Sequence, residues 1–333
     1  MELSISFTSF ESRLGQNVTL SYTEFFLLPF PGITNFRQIL VAPCISVYII
    51  ILVLNFLISY IVLWKKSLHT PMYILISLLL CLNILGTTVV TPEMIQSLLA
   101  QTRISLSGCL SQMFFVYSST MFKSIVLLLM AFDRYVAVCK ALRYHEIITR
   151  NSLLQLSFVG LCRNSVLVSV LLFLSARVQY CKSNIIMNFV CEYGVLLNLA
   201  CGDVSRVQMV GLVVRIGVNV LDVTVLLVCY MKVLSATLKI AVGSARRKAL
   251  NTCGNHLLVA HLVYSCGLLS SILYKVEQSM SYDFQNLSRA IYFFFPAIAN
   301  PVIYGLRVSE IKDCLIKPWK KKLLMNRKKH LAT

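Results

Sequence analysis

Residues 39–64 read ILVAPCISVYIIILVLNFLISYIVLW, twenty-six residues without a formal charge. A helix needs roughly 20 apolar residues to cross about 30 Å of hydrocarbon, and this stretch exceeds that length. Six more stretches repeat the pattern. Pro71–Pro92 is uncharged, Ile104–Met130 holds only Lys123, and Ser152–Ala176 holds only Arg163. Val207–Met231 carries Arg215 and Asp222, while Ala249–Tyr274 and the shorter Ala290–Leu306 are again uncharged. Of all 333 residues 57% are hydrophobic and 13% charged, about half the charged share of a soluble domain. Membrane barrels read as alternating segments of about ten residues, whereas these runs are continuous, and lipid satisfies a lone backbone only as helix. The sequence therefore predicts an all-α membrane protein, a seven-transmembrane helix bundle.

The net charge of +18 invites a nucleic-acid reading, but its distribution argues for a membrane. With the N-terminus outside, 20 of the 31 Lys and Arg residues fall on the cytoplasmic side, 8 outside and 3 within spans. Such a bias orients membrane proteins, so the N-terminus is expected outside and the C-terminus in the cytoplasm. The basic tail, Lys320, Lys321, Lys322, Arg327, Lys328 and Lys329, suits anionic inner-leaflet lipid. No nucleic-acid partner is expected. Met1–Arg37 lacks a basic start followed by an apolar core, so the first span is expected to act as its own targeting signal.

Three segments follow: a leader over residues 1–38, a membrane domain over 39–306, and a tail over 307–333 that opens with a short amphipathic helix. Asn17-Val-Thr19 is a glycosylation sequon in the leader; Asn286-Leu-Ser288 lies too near the seventh span for its use to be expected. Cys314 is a candidate for palmitoylation. Cys109, Cys181, Cys191 and Cys201 fall in outer segments, where disulfides persist, and four cysteines allow three pairings. Three of them lie in Arg177–Arg206, a 30-residue loop; long loops in compact domains are usually functional, and this one is expected to cover the outer mouth. Pro92, Pro296 and Pro301 are expected to kink or end helices.

Four motifs narrow the reading. Leu68-His-Thr-Pro-Met-Tyr73 opens the second span, and Met130-Ala-Phe-Asp-Arg-Tyr-Val-Ala-Val-Cys139, with Leu142-Arg-Tyr144, closes the third. Lys248-Ala-Leu-Asn-Thr-Cys-Gly-Asn-His-Leu257 opens the sixth, and Pro296-Ala-Ile-Ala-Asn-Pro-Val-Ile-Tyr304 ends the seventh. In this order, from the first span to Arg307, they closely resemble the signature of the olfactory (odorant) receptors, a branch of the rhodopsin-like G-protein-coupled receptors.

The resemblance implies a small-molecule odorant bound in the outer half of the bundle. It implies a heterotrimeric G protein of the stimulatory, olfactory type as partner, cyclic AMP as output, and a multi-pass plasma-membrane location, in sensory cilia. It implies that Asp133 restrains Arg134, next to Tyr135, until activation frees it, with Tyr230 and Tyr304 turning inward. Asn300 and Tyr304, four residues apart, share one helix face, and the paired kinks at Pro296 and Pro301 make a natural hinge. His256, one turn into the sixth helix, either bonds polar neighbours near Arg134 or merely packs. The implied bridges are Cys109–Cys191 and Cys181–Cys201. The chain also departs from the family: Cys229-Tyr230 replaces Ser-Tyr, and Leu54-Asn55 replaces Gly-Asn. Asn83 replaces a second-helix Asp and Lys123 a third-helix Glu, the carboxylates that line the sodium pocket in relatives. The amine of Lys123 is expected either in the ion's place, donating to Asn83 and Asn300, or turned to a neighbouring helix.

Alignment with the class offers Val116, Tyr117, Thr120, Tyr264, Leu268 and Phe293 as cavity-lining residues, at spacings that share a helix face. Arg215, Asn219 and Asp222 form a polar stripe on the fifth span. Intramembrane charges are functional candidates, and two readings stand: Arg215 grips an anionic ligand with its planar fork, or Arg215 or Arg163 pairs with Asp222. An opsin needs a Schiff-base lysine in the seventh helix, which Ala290–Leu306 lacks; an aminergic receptor has an Asp where this chain has Val116. The five His are scattered, so no enzyme, metal or cofactor is expected. The alternatives are a non-olfactory chemosensory receptor of the same fold and, from another class, a membrane transporter.

Overall fold

The computed structural model describes residues 21–239, 243–276 and 280–315, with the side chains at 244, 245, 248, 249 and 268–276 outside that description. Asn17 and the basic tail beyond residue 315 lie outside it too. Seven long helices run through the chain: α1 (Val41–Trp64), α2 (Pro71–Leu99), α3 (Leu106–Cys139), α4 (Arg150–Ala176), α5 (Ser205–Lys239), α6 (Ser244–Val276) and α7 (Tyr282–Arg307). α7 bends by 90° into a short α8 (Ser309–Leu315). Five of the long helices meet the length and hydropathy needed to cross a membrane, and the bent α7–α8 pair makes a sixth. α6 is long enough as well, and residues 249–274 of it carry no formal charge.

Local chemistry sets the helix starts. Pro71 occupies the first turn of α2, where its missing N–H costs nothing. Ser105 caps α3 by accepting from Gly108 N at 3.1 Å. Thr149 and Ser152 cap α4 reciprocally, each hydroxyl accepting from the other's backbone N–H, which satisfies two otherwise orphaned donors. Pro296 and Pro301 lie inside α7.

The helices turn their apolar sides outward and their polar groups inward. Phe56, Trp64, Phe158 and Val213 are exposed on the flanks, whereas Asn55, Asn83, Asp133, Asn164, Asp222 and Asn300 are fully or almost fully buried. A water-soluble domain has the reverse pattern; a lipid-facing surface explains this one. α3 lies at the centre, against α2, α4, α5 and α6. Gly160 of α4 lets Ile125 approach closely, since a Cβ there would stand 2.7 Å from Ile125 Cγ2.

A small three-stranded sheet, which the hydrophobic pattern did not predict, caps one end of the bundle. β1 (Glu24–Leu27) pairs antiparallel with β2 (Thr102–Ser105) and parallel with β3 (Ile185–Ile186). Strands of two to four residues are too short for periodicity to reveal, and they persist because Phe25, Leu27, Tyr180 and Ile186 bury a shared apolar layer beneath them. Glu24–Leu27, within the segment counted as a leader, is thus part of the cap. α7 also begins eight residues before the seventh span read from the sequence, because Asp283 and Arg289 sit within it.

Candidate ligand cavity

Below the sheet lies a cavity of about 200 Å³ between α3, α5, α6 and α7. Val116, Tyr117, Thr120, Arg215, Tyr264 and Phe293 all line it. The side chain of Leu268 lies outside the described residues. The sequence pointed less clearly to several other lining residues: Lys123, Ser124, Glu192, Asp222 and Tyr292.

The roof is the segment Phe189–Tyr193, pinned to α3 at three points. Cys191 is bonded to Cys109; its N–H donates to Gln112 Oε1 at 2.8 Å, and Tyr193 N–H donates to Tyr117 Oη at 2.9 Å. A second bridge, Cys181–Cys201, closes the loop behind it. Both pairings are those the resemblance implied. Two side chains of α7 tie down the other edge. Asn286 donates to Met187 O at 3.0 Å, and Arg289 Nε donates to Glu192 Oε2 at 2.6 Å. Buried among these partners, Asn286 has no space for a glycan. Burial alone would push the Glu192 carboxyl up, but Arg289 and Arg215 outweigh it and hold that group below the ordinary carboxylate range. Arg289 had counted as an outer-loop cation; its position before an uncharged run hid that it belongs to α7.

The floor is a polar network joining four helices. Arg163 of α4 donates to both carboxylate oxygens of Asp222 on α5, at 3.0 and 3.4 Å. Ser124 of α3 donates to Asp222 at 2.5 Å. A hydroxyl has one proton, so the 2.5 Å contact between Ser124 and Tyr264 of α6 is a bond that Tyr264 donates. The structure forms the pair of Asp222 with Arg163, and Arg215 lines the cavity wall.

Lys123 is turned toward α2. A Cβ on Gly86 would stand 3.6 Å from the Lys123 amine, an ordinary contact, and 3.2 Å from Ser119 Oγ. The amine makes no bond to Asn83 or Asn300, whose side-chain oxygens have no partner among the described residues, so of its two readings the turn to a neighbouring helix is the one this geometry contains. Asn83 instead donates to Asn55 at 3.1 Å, and Asn55 donates to Ala297 O at 2.8 Å.

At the opposite end, Arg134 Nε and Nη2 donate to Asp133 Oδ2 at 3.0 and 2.6 Å. Tyr144, in the short helix after α3, donates to Asp133 Oδ1 at 2.7 Å. Burial and that carboxylate push the Tyr144 phenol up, so it stays a donor. Tyr230 and Tyr304 are buried nearby, while Tyr135 faces Lys232, whose amine lies 5.8 Å from its ring centre. His256 is buried without a hydrogen-bond partner among the described residues and packs on the Tyr304 ring at 5.8 Å. Of its two readings, packing is the one this geometry contains. Asn300, one turn before Tyr304, is fully buried beside Pro301.

A lidded cavity at one end of a lipid-facing seven-helix bundle, and a restrained Asp-Arg-Tyr arginine at the other, define a membrane receptor of the G-protein-coupled kind. The olfactory receptor family model matches residues 44–322. Olfactory receptor 52K2 of Homo sapiens is 31% identical over 302 residues, covering 90% of this chain and 96% of that protein. Olfactory receptor 52B6 of Homo sapiens is 35% identical over 290 residues, 86% of each chain. The chain belongs to the olfactory receptor family, and so is a multi-pass membrane receptor for odorants rather than an enzyme.

Proposed function

We propose that this receptor binds a small acidic odorant in the lidded cavity and activates a stimulatory, olfactory-type G protein, raising cyclic AMP at the ciliary plasma membrane of sensory neurons. On this reading the sheet end and the N-terminus face outward, and Arg134, α8 and the C-terminus face the cytoplasm. The single observation carrying the acidic preference is Arg215 in the cavity wall. Among the described residues Arg289 pairs with Glu192, and Arg215 acts on the same carboxylate. A charge-assisted bidentate bond from Arg215 to an anionic head group in a dry pocket is strong.

The test compares carboxylic acids with their methyl esters in cells reporting cyclic AMP. Acids are expected to be the more potent by about tenfold or more, the scale of one hydrogen bond to a charged group. Arg215→Leu, at equal surface density, is expected to erase the difference. Equal potency of acids and esters, unchanged by the substitution, contradicts the reading.

A further inference from the structure

The cavity has a cation at its floor as well as in its wall. Lys123 lines it, and among the described residues the amine forms no ion pair or hydrogen bond. Asp222, to which the adjacent Ser124 donates, pairs with Arg163. Among the described residues Glu192 has Arg289 and Arg215 beside it and Asp222 has Arg163, so Lys123 is a cation of the lining that pairs with neither carboxylate.

The separation of Arg215 and Lys123 along the bundle follows from helix geometry. Ser124, next to Lys123, bonds Asp222, so Lys123 starts near the level of Asp222 on α5. Arg215 precedes Asp222 by seven residues on the same helix, a rise of about 10 Å. The wall between them is formed by Tyr117, Thr120, Val218, Tyr264, Tyr292 and Phe293, predominantly apolar and aromatic.

We propose that Lys123 is a second anion anchor, and that the ligands this cavity fits best are linear α,ω-dicarboxylates held at both ends. The inference rests on the acid-binding reading of Arg215 and adds a second contact to it. A monoacid bound at Arg215 sends its hydrocarbon tail down against the half-buried Lys123 amine, and covering a polar group with hydrocarbon is costly. A diacid of fitting length replaces that clash with a charge-assisted bond. Stripping water from the second carboxylate also costs free energy, and this is recovered only where a positive charge in excess awaits it. The Lys123 amine, in the cavity lining, supplies that charge.

The experiment measures cyclic AMP potency for the series from butanedioic to octanedioic acid against monoacids of equal carbon number. In the wild-type receptor at least one diacid is expected to exceed its monoacid by about tenfold or more, the scale of one further charged hydrogen bond. Lys123→Met is expected to bring that ratio to one; Lys123→Arg, which keeps the charge, is expected to retain the preference. Surface labelling separates misfolding from lost binding, and Lys123→Gln replaces Lys123→Met if the latter does not reach the surface. Inactive monoacids on the wild-type receptor overturn the acid-binding reading and this inference together. Active monoacids without any diacid preference, or a preference that survives removal of the Lys123 charge, overturn the role of Lys123 alone.

Discussion

At the scale of single residues, Arg163 and Asp222 show how a charge is carried inside an apolar bundle. Asp222 is almost wholly buried, and Arg163, Ser124 and through Ser124 the Tyr264 hydroxyl share its two oxygens. Removing one partner of a buried pair strands the other, at about 3–5 kcal/mol. Replacing both with apolar residues is often neutral. Arg163→Leu is therefore expected to lose most of its surface expression, and Arg163→Leu/Asp222→Leu to recover a large part of it. Flow cytometry of an epitope-tagged receptor checks this; a double variant no better than the single one contradicts the pairing as its source of stability. The sequence left Asp222 between two arginines because a one-dimensional pattern gives the level of a residue in the bundle but not its azimuth. Arg215 and Arg163 were equally plausible until α4 was placed beside α5.

At the scale of elements, the roof is held by covalent, hydrogen-bonded and ionic ties to α3 and α7 together. Glu192 matters most, because it joins the roof to Arg289 of α7. Burial works against its charge, but Arg289 and Arg215 prevail and its folded value lies below the usual one. A depressed carboxyl contributes stability that is fully present above the unfolded value, about 4.3, and is lost as pH falls through the folded value. The stability difference between wild type and Glu192→Gln is thus expected to be constant from about pH 6 to about pH 8 and to shrink only below about pH 4. Thermal unfolding of the detergent-solubilised receptor across that range reads it. A difference already gone at about pH 6 would mean that the two arginines do not hold Glu192 ionised. The sheet above the roof was illegible for a different reason. Its strands contribute four, four and two residues from segments far apart in sequence, and their pairing is a property of tertiary packing alone.

At the scale of the whole molecule, one charge change runs through the interior. The family resemblance implies a sodium site held by a second-helix Asp and a third-helix Glu, with Asn83 and Lys123 in those places in this chain. The Asn55–Asn83 pair contains no carboxylate, and the Lys123 amine lies against Gly86, one turn along α2 from Asn83. Repulsion of a cation at that range is substantial even after generous screening. Agonist affinity in membranes is expected to be the same in sodium as in an equal concentration of a bulky organic cation, and sodium-specific weakening would show that a cation site survives. The bundle itself was legible almost throughout, because lipid forces long apolar runs and four motifs fixed their order. The cavity was legible in its aromatic lining, where helical spacing suffices. Its charged frame was not: Arg289 sat just outside an uncharged run, Glu192 in a loop, and Lys123 in a position that the family comparison had assigned to an ion.

The central claim is that ligand in the lidded cavity frees an arginine some way below it. Asp133, fully buried, holds Arg134 through two hydrogen bonds and accepts a third from Tyr144, so Arg134 is restrained in this structure. The most direct test is ligand-stimulated cyclic AMP in cells that supply an olfactory-type stimulatory G protein, comparing wild type with Arg134→Ala at matched surface density. The account predicts a dose-dependent rise for the wild type under an acidic odorant, and none for Arg134→Ala despite unchanged ligand binding. Wild-type signalling from the Arg134→Ala receptor would contradict it.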